Sequence, residues 1–392
     1  MKRFFKLFFT IIFSSIFIFI SLSFIYTKSP FFNIFFWDRV INFPRNKPYT
    51  SLNWSGYNPR EIVKGKKQEL KYSKKSEIKI SSESIKKISG YVEERNSTAL
   101  LILQKNQIVF EKYFGIGGEN VKSDSASMAK TVLALLIGIA IDEKKILSED
   151  ELASKYIIEW QNDERKNITI KNLLQMTSGL YNYDSTSSPF SDLAKMHGGF
   201  YLEDTILNVK QENKEGTKNN YNNVNSQILE LVLERATKKR YADYLAEKIW
   251  IPLGASEANL WLDHENGMPR AYCCLFATPK DWAKIGLLLL NDGFYNGKQI
   301  IPLSWLKKMT KPSSLLDNYG YQIWLAHSKA FSKNRLTENF LDENMIFLDG
   351  RGRQRVYIIK SKDLVVVRIG ESPKDWDESF IPNSLIKDLE KK

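Results

Sequence analysis

The sequence predicts an α+β fold: an antiparallel sheet formed by N- and C-terminal strands, flanked by helices, with a mostly helical region inserted between them. Three observations predict it. Apolar runs pair early, at Ala99-Leu100-Leu101-Ile102-Leu103 and from Ile108 to Phe114, around the polar turn Lys105-Asn106-Gln107. A second pair of β-branched runs lies near the end of the chain, Arg355 to Ile359 and Leu364 to Ile369, around Lys360-Ser361-Lys362-Asp363. Between these pairs apolar residues recur at helical spacing, so the outer segments supply the sheet and the middle is an insertion.

From the start of the chain, Leu7 to Tyr26 carries no charge and is dominated by Phe, Ile and Leu. That is the length needed to cross a bilayer as a helix. Lys2, Arg3 and Lys6 precede it, which leaves residues 1–6 in the cytoplasm and exports the rest. A cleaved signal peptide is the alternative; no clear small-x-small site follows the run, which favours an uncleaved transmembrane anchor over 7–26. Phe31, Phe32, Phe35, Phe36 and Trp37 are expected at the membrane interface. Residues 27–80 read as a basic linker or irregular wrap, marked by Pro44, Pro48, Pro59 and many lysines. The folded domain is expected over 81–392.

Within it, Ser84 to Glu94 reads as an amphipathic helix, and Thr169 to Met176 as a short one ended by Thr177-Ser178-Gly179. Val224 to Arg235 and Trp282 to Leu290 repeat apolar residues at helical spacing. A last helix, Ile381 to Glu390, is expected to cover the sheet.

With 392 residues, 43% hydrophobic and 26% charged, the chain has ordinary globular composition and enough length for a sizeable core. The net charge of +12 is spread along the chain rather than gathered into an arginine-rich block. An exported domain of this kind is a poor nucleic-acid binder; lysine-rich surface is compatible with anionic lipid or cell-wall polymer. Cys273 and Cys274 are adjacent, and neighbouring cysteines rarely bridge because the ring is strained. His197, His264 and His327 lack metal-ligand spacing, so no metal site is expected.

The chemistry concentrates in three short segments. Ser127-Met128-Ala129-Lys130 opens the apolar run Thr131 to Ala140. Residues three apart are neighbours on a helix, so Lys130 lies beside Ser127 at a helix N-terminus, where a neutral lysine can take the serine proton. The same Ser-x-x-Lys spacing recurs at Ser76, Ser84, Ser304 and Ser384, in charged or short surroundings, and a helix cap with a solvated lysine is the plainer reading of Ser127. Tyr221-Asn222-Asn223 precedes the helix beginning near Val224. A tyrosine beside an ammonium loses its proton more easily and can shuttle it, while Asn223 can orient Lys130 or a substrate amide. A turn asparagine with a packed tyrosine is the alternative. Gly350-Arg351-Gly352 precedes the terminal hairpin, where a backbone N–H at Arg351 can complete an oxyanion hole with that of Ser127; a plain tight turn is the alternative.

In order, these segments together with Leu173 to Leu180, Gly216-Thr217, Pro252-Leu253-Gly254, Ala277 to Gly286 and Gly350-Arg351-Gly352-Arg353-Gln354 resemble the serine β-lactamase and penicillin-binding-protein superfamily. Its class C β-lactamase-like hydrolases, the 6-aminohexanoate-dimer hydrolase and esterase branch, are the nearest in look. The resemblance covers about Leu100 to Ile369. It implies a β-lactamase/transpeptidase-like fold and a cofactor-free acyl-enzyme mechanism on a small ester, amide or peptide. Ser127 would be the nucleophile, Lys130 and Tyr221 would share the base and acid roles, and Ser127, Asn223, Gly350 and Arg351 would bind substrate and oxyanion.

The chain departs from the class C pattern at Leu348-Asp349-Gly350, where β-lactamases carry lysine, threonine and glycine; that makes penicillin hydrolysis doubtful and fits the hydrolase branch. A glycine is usual in that branch at Arg353. Arg351, Arg353 and Arg355 can instead grip an acidic substrate, or be solvated arginines on a strand edge. Tyr181 or Tyr183 occupies the loop from which that branch draws a further tyrosine. Cys273-Cys274 is expected as buried packing near the site wall, and His264 as a structural or surface residue. The leading expectation is therefore a serine hydrolase anchored in a bacterial inner membrane, its domain periplasmic or extracellular. A D,D-peptidase or β-lactamase, and a non-catalytic binding protein on the same fold, are the alternatives.

Overall fold

The computed structural model describes residues 2–27, 34–42, 55–183, 191–327 and 335–391. The first elements are α1 (Lys2–Thr27), α2 (Ile34–Ile41), β1 (Arg60–Val63), α3 (Ser82–Glu93), β2 (Ser97–Gln104), β3 (Gln107–Tyr113) and β4 (Ser123–Asp124). The middle holds α4 (Ala129–Asp142), α5 (Ile170–Leu174), α6 (Asp192–Gly198), α7 (Leu202–Leu207), α8 (Asn223–Thr237), α9 (Tyr241–Leu245), β5 (Ala258–Trp261) and β6 (Leu275–Ala277). Then come α10 (Pro279–Leu290), β7 (Phe294–Tyr295), β8 (Lys298–Gln299), α11 (Leu303–Met309), β9 (Trp324–Leu325), β10 (Ile346–Gly350), β11 (Gln354–Ile359), β12 (Leu364–Gly370) and α12 (Phe380–Glu390).

The main sheet is antiparallel, in the order β3-β2-β12-β11-β10-β9. Its register sets Leu101 opposite Val367 and Val367 opposite Val356, so side chains of period two line up across strands. Leu101, Leu103, Val356, Ile358, Val365 and Val367 face the larger core. Leu100, Ile102, Tyr357, Ile359, Leu364 and Val366 face a second one with Ile88 and Val92 of α3 and Ile381, Leu385 and Ile386 of α12. Both faces are covered, which is why β2 reads as a continuous apolar run rather than an alternating one. Helix α10 covers the first face. Gly286 permits it, because a Cβ there would collide with Val365 and come within 2.9 Å of Val356 Cγ1. Thr278 and Asp281 form a capping box with Pro279 in the first turn, so α10 starts three residues ahead of the expected Trp282.

Helix α4 is buried from Ala129 to Ala140, as an apolar run without a polar face requires. It packs on α8 and, through Gly138, against the ring of Trp305 in α11. The outer strands β9 and β10 were not anticipated.

The stretch expected as a basic linker or irregular wrap contributes a strand to the domain. Within it β1 pairs with β5 in a second sheet, β1-β5-β6-β4, whose short strands carry no alternation to read. Helix α2 docks on the domain: Phe36 is fully buried, which withdraws it from the expected membrane interface, and buried Arg39 donates to Asp263 O (2.8 Å) and Asn58 O (2.7 Å). Phe35 is exposed, and Phe31 and Phe32 lie outside the described residues. Among the described residues no helix is long and apolar enough to cross a membrane, so the expected span over Leu7 to Tyr26 is not recovered there.

Candidate active site

Ser127 lies in a 3-10 turn, Ala126–Met128, that leads into α4. Ala126 is in the left-handed region, φ 45°, where a side chain is strained. Its N–H donates to Asp124 Oδ1 at 2.9 Å, which holds the turn. Lys130 is buried at 1% exposure. Its Nζ donates to Ser127 Oγ (2.9 Å) and to Tyr272 O (2.7 Å). Burial pushes the ammonium down to about 7, with the Asp349 carboxylate pulling the other way. Near neutral pH a large share of Lys130 is therefore a free amine, able to receive the Ser127 proton.

Tyr221 is placed by the start of α8. Asn222, the N-cap, accepts from Val224 N (2.9 Å) and donates to Leu180 O (3.2 Å) and Tyr181 O (2.9 Å), tying the helix start to the loop after Gly179. The Tyr221 ring lies 5.9 Å from both Trp324 and Tyr319, and Lys130 Nζ stands 5.2 Å over its centroid. Burial pushes the phenol well above its ordinary value; its hydrogen bond with Ser127 offsets this only in part, and Asp349 adds to it. The expected eased ionisation of Tyr221 beside an ammonium is thus corrected. The amine gives up its proton first, and the phenol keeps its own.

Asn223 is corrected in one of its two expected roles. The partners of Lys130 are Ser127 and Tyr272, so Asn223 does not orient it. Tyr181 and Tyr183 pack edge to face at 5.8 Å, and the Tyr183 hydroxyl donates to Thr205 O at 2.7 Å. Gly350 ends β10 where a Cβ would collide with Ser125 O, so this strand closes against the backbone two residues before Ser127. Arg351, next along, is exposed and acts on the Asp124 carboxylate.

The arginine row is also corrected. Arg355 is fully buried and bonded to Asp349 and Glu378, which removes it from any substrate. Arg353 and Arg335 reach the same Glu378 at 3.0 and 2.9 Å, and Tyr357 and Trp376 donate to its other oxygen. Arg335 also holds Asp349 at 3.0 Å. Asp349, whose field reaches Lys130, Tyr221 and Tyr319, was missed as a site residue. Its place in the departing Leu348-Asp349-Gly350 segment was the available signal.

Tyr272 was missed as well, because its contribution is a backbone carbonyl. Its hydroxyl meets His197 Nδ1 at 3.1 Å. The next two residues contradict expectation: Cys273 and Cys274 are joined in a disulfide. Cys274 takes a left-handed φ of 64°, the local backbone turn that accompanies the closed ring. His264 stands half exposed beside Asp263, 2.9 Å away. Among the described residues no group of His, Cys, Asp and Glu is gathered to hold a metal ion.

The family model described as Beta-lactamase matches residues 85–378. The 6-aminohexanoate-dimer hydrolase of Paenarthrobacter ureafaciens is 21% identical over 56% of this chain and 58% of its own length. A D-alanyl-D-alanine carboxypeptidase assignment from Escherichia coli O157:H7 is 28% identical over 40% of this chain and 41% of its own. The chain thus spans less than two thirds of the length of these curated relatives. Among solved structures, one from Bacillus anthracis assigned as a 6-aminohexanoate-dimer hydrolase superposes with TM-score 0.72 at 21% identity, covering 88% of this chain and 93% of that one. A family VIII carboxylesterase gives 0.62 at 14% identity, over 84% of this chain and 100% of its own. These likenesses show the expected fold, helices around antiparallel sheet.

Proposed function

The chain belongs to the beta-lactamase family, and from that membership we propose that it is a serine hydrolase cleaving an ester or amide through an acyl-enzyme on Ser127. One observation carries the reading: a buried lysine amine, pushed down to about 7, lies 2.9 Å from the serine oxygen. Lys130 takes the Ser127 proton as Oγ forms its bond to the substrate carbonyl carbon. The oxyanion is received by the backbone N–H groups of Ser127 and Arg351. Tyr221, still protonated, passes its proton to the leaving alkoxide or amine as the carbonyl–heteroatom bond breaks, and regains one through Lys130. Water then attacks the acyl carbon and frees Ser127. Asn223 is assigned to the substrate amide, and the loop of Tyr181 and Tyr183 to the leaving-group side.

The substrate class is a small ester or linear amide, as the names of the hydrolase and carboxylesterase relatives suggest. A cell-wall D,D-peptidase is the second reading, favoured by the carboxypeptidase relative and weakened by Leu348 and Asp349 where a carboxylate-holding lysine would stand. The test is labelling of the full chain with a fluorophosphonate probe, beside turnover of short acyl esters, linear amides and muropeptides. Labelling of wild type and not of Ser127→Ala is expected; equal labelling overturns the reading and leaves a binding protein. A persistent adduct with labelled penicillin would transfer the assignment to the peptidase.

Anchoring is proposed as well, with the domain on the periplasmic or outer side of a bacterial inner membrane. It rests on the uncharged Leu7–Tyr26 run behind Lys2, Arg3 and Lys6, and on the exposed rings of Phe13, Phe17 and Phe19 in α1. Fractionation of the full chain before and after alkaline carbonate is expected to leave it in the pellet; release to the supernatant would end this part.

A further inference from the structure

The disulfide-joined pair Cys273–Cys274 follows the residue whose carbonyl receives Lys130 Nζ. The same short turn grips the nucleophile from the other side. Ser125 N donates to Leu275 O (3.2 Å), and Leu275 N donates to Ser125 Oγ (3.3 Å). The Cys274 backbone N–H favours the ionised form of Asp124, the carboxylate that holds the Ala126 N–H. Residues 272–275 therefore touch Lys130 at one end and the backbone before Ser127 at the other, and a covalent ring closes the middle of that clamp. Cys274 is fully buried, while Cys273 keeps 7% exposure.

We infer that the Cys273–Cys274 disulfide is a positioning element for Lys130, and that its reduction turns the site down. The inference rests on the reading of Lys130 as the base of a serine hydrolase, and it concerns what holds that base rather than what it does.

A dithiol reductant supplies the electrons. Its thiolate attacks Sγ of Cys273, the less buried of the two residues; the S–S bond breaks, its electron pair stays on Cys274 Sγ, and that sulfur takes a proton. The second thiol then releases Cys273 as a thiol and leaves the oxidised dithiol. Once the ring is open, φ 64° at Cys274 has no covalent tie to hold it, and a non-glycine residue relaxes away from it. The Tyr272 carbonyl moves with its chain and water reaches the Lys130 head. The groups facing Lys130 stay the same: Ser127 and its own helix α4, the Tyr221 and Tyr272 rings, and Asp349 of β10. What changes is solvent, so the amine becomes a stronger base that is more often protonated at neutral pH.

The test uses the full chain with and without dithiothreitol. Alkylation and mass spectrometry first count accessible thiols; neither cysteine is expected to react before reduction. The titration midpoint of Lys130 is then followed by NMR of its labelled Cε carbon, identified with Lys130→Arg, in both redox states. A rise of about one pH unit is expected on reduction, which cuts the neutral fraction at pH 7 about fivefold, with kcat falling accordingly and KM steady. A Cys273→Ser/Cys274→Ser chain should match the reduced form and ignore the dithiol; if it fails to fold, the reduced wild type answers alone. A midpoint unmoved by reduction overturns the inference, as do thiols that stay free after treatment with an oxidant. A midpoint that moves in a chain with no turnover in either state upholds it while the hydrolase reading fails.

Discussion

Lys130 Nζ stands 2.9 Å from Ser127 Oγ and 2.7 Å from Tyr272 O, inside a wall that leaves the lysine 1% exposed. A cation placed there has lost most of its water and received two neutral oxygens in return. That trade favours the amine, which is the form that can act as base. Lys130→Ala removes the proton acceptor without emptying a large apolar core volume. Turnover is expected to fall by about 10²–10⁴-fold, with an unchanged circular-dichroism spectrum. Loss of the folded spectrum instead would make Lys130 a structural residue.

The same burial fixes a pH dependence. With Lys130 held down to about 7, kcat/KM should rise as pH climbs through about 7, because only the amine receives the Ser127 proton. The sign for stability follows from proton counts. Between about 7 and the ordinary lysine value of 10.5 the unfolded chain binds this proton and the folded one does not. The contribution of Lys130 to unfolding free energy therefore increases with pH across that window. Initial-rate profiles from pH 5 to 9, with Lys130→Ala flat over the same range, check the first statement. A rate that declines through pH 7 would exclude a neutral lysine base.

The paired runs at each end of the domain were legible because strands buried on both faces read as unbroken apolar runs, as in Leu100 to Leu103 and Leu364 to Val367. Ser127, Lys130 and Tyr221 were legible because helix spacing and a short motif name side chains. The rest of the site is made by backbone and by residues distant in sequence. Tyr272 contributes a carbonyl, which no residue type announces. Asp349 and Arg355 matter through Glu378 and Arg335, and a row of arginines looks the same whether it faces solvent or a buried carboxylate. The left-handed turn at Cys274 is likewise invisible in a pair of letters, so bridging looked improbable there. The second sheet was hidden by strand length, since β4 has only two residues.

Glu378 anchors that arginine cluster. It is fully buried, holds Arg335, Arg353 and Arg355, and its carboxyl is kept far below the ordinary range; burial opposes this, and the Arg355 charge and hydrogen bonds overcome it. Stability from a depressed carboxyl is present above its unfolded value and is lost only as pH falls through the folded one, so this part of the fold should survive moderate acid. Glu378→Ala leaves buried Arg355 with Asp349 as its remaining carboxylate partner, removes the shared partner of Arg335 and Arg353, and is expected to cost about 3–5 kcal/mol. Arg353→Ala, whose partner keeps two other arginines and which is one-third exposed, should cost under about 1 kcal/mol. Urea unfolding of both variants checks the order. An Arg353 variant as unstable as the Glu378 one would mean the cluster is not centred on the carboxylate.

Tyr221 separates chemistry from packing. Its ring stacks at 29° on Trp324 and meets Tyr319 edge-on, so the aromatic body helps seal the site whether or not the hydroxyl is present. The hydroxyl alone reaches Ser127, and its proton is retained because burial raises the phenol well above its ordinary value. Tyr221→Phe keeps the seal and deletes the proton relay; kcat toward an amide is expected to drop by about 10²-fold, and the thermal midpoint to change little. Tyr221→Ala deletes both, and should lower the midpoint as well by opening a cavity beside Trp324. The loss in the Phe variant should also depend on the leaving group. An activated ester with a good phenolate leaving group needs no proton from Tyr221, whereas an amide departs as an amine only after receiving one. The Phe variant is therefore expected to retain most activity toward nitrophenyl esters and lose it toward amides. Equal losses on both would place Tyr221 in the attack step beside Lys130 and not in departure.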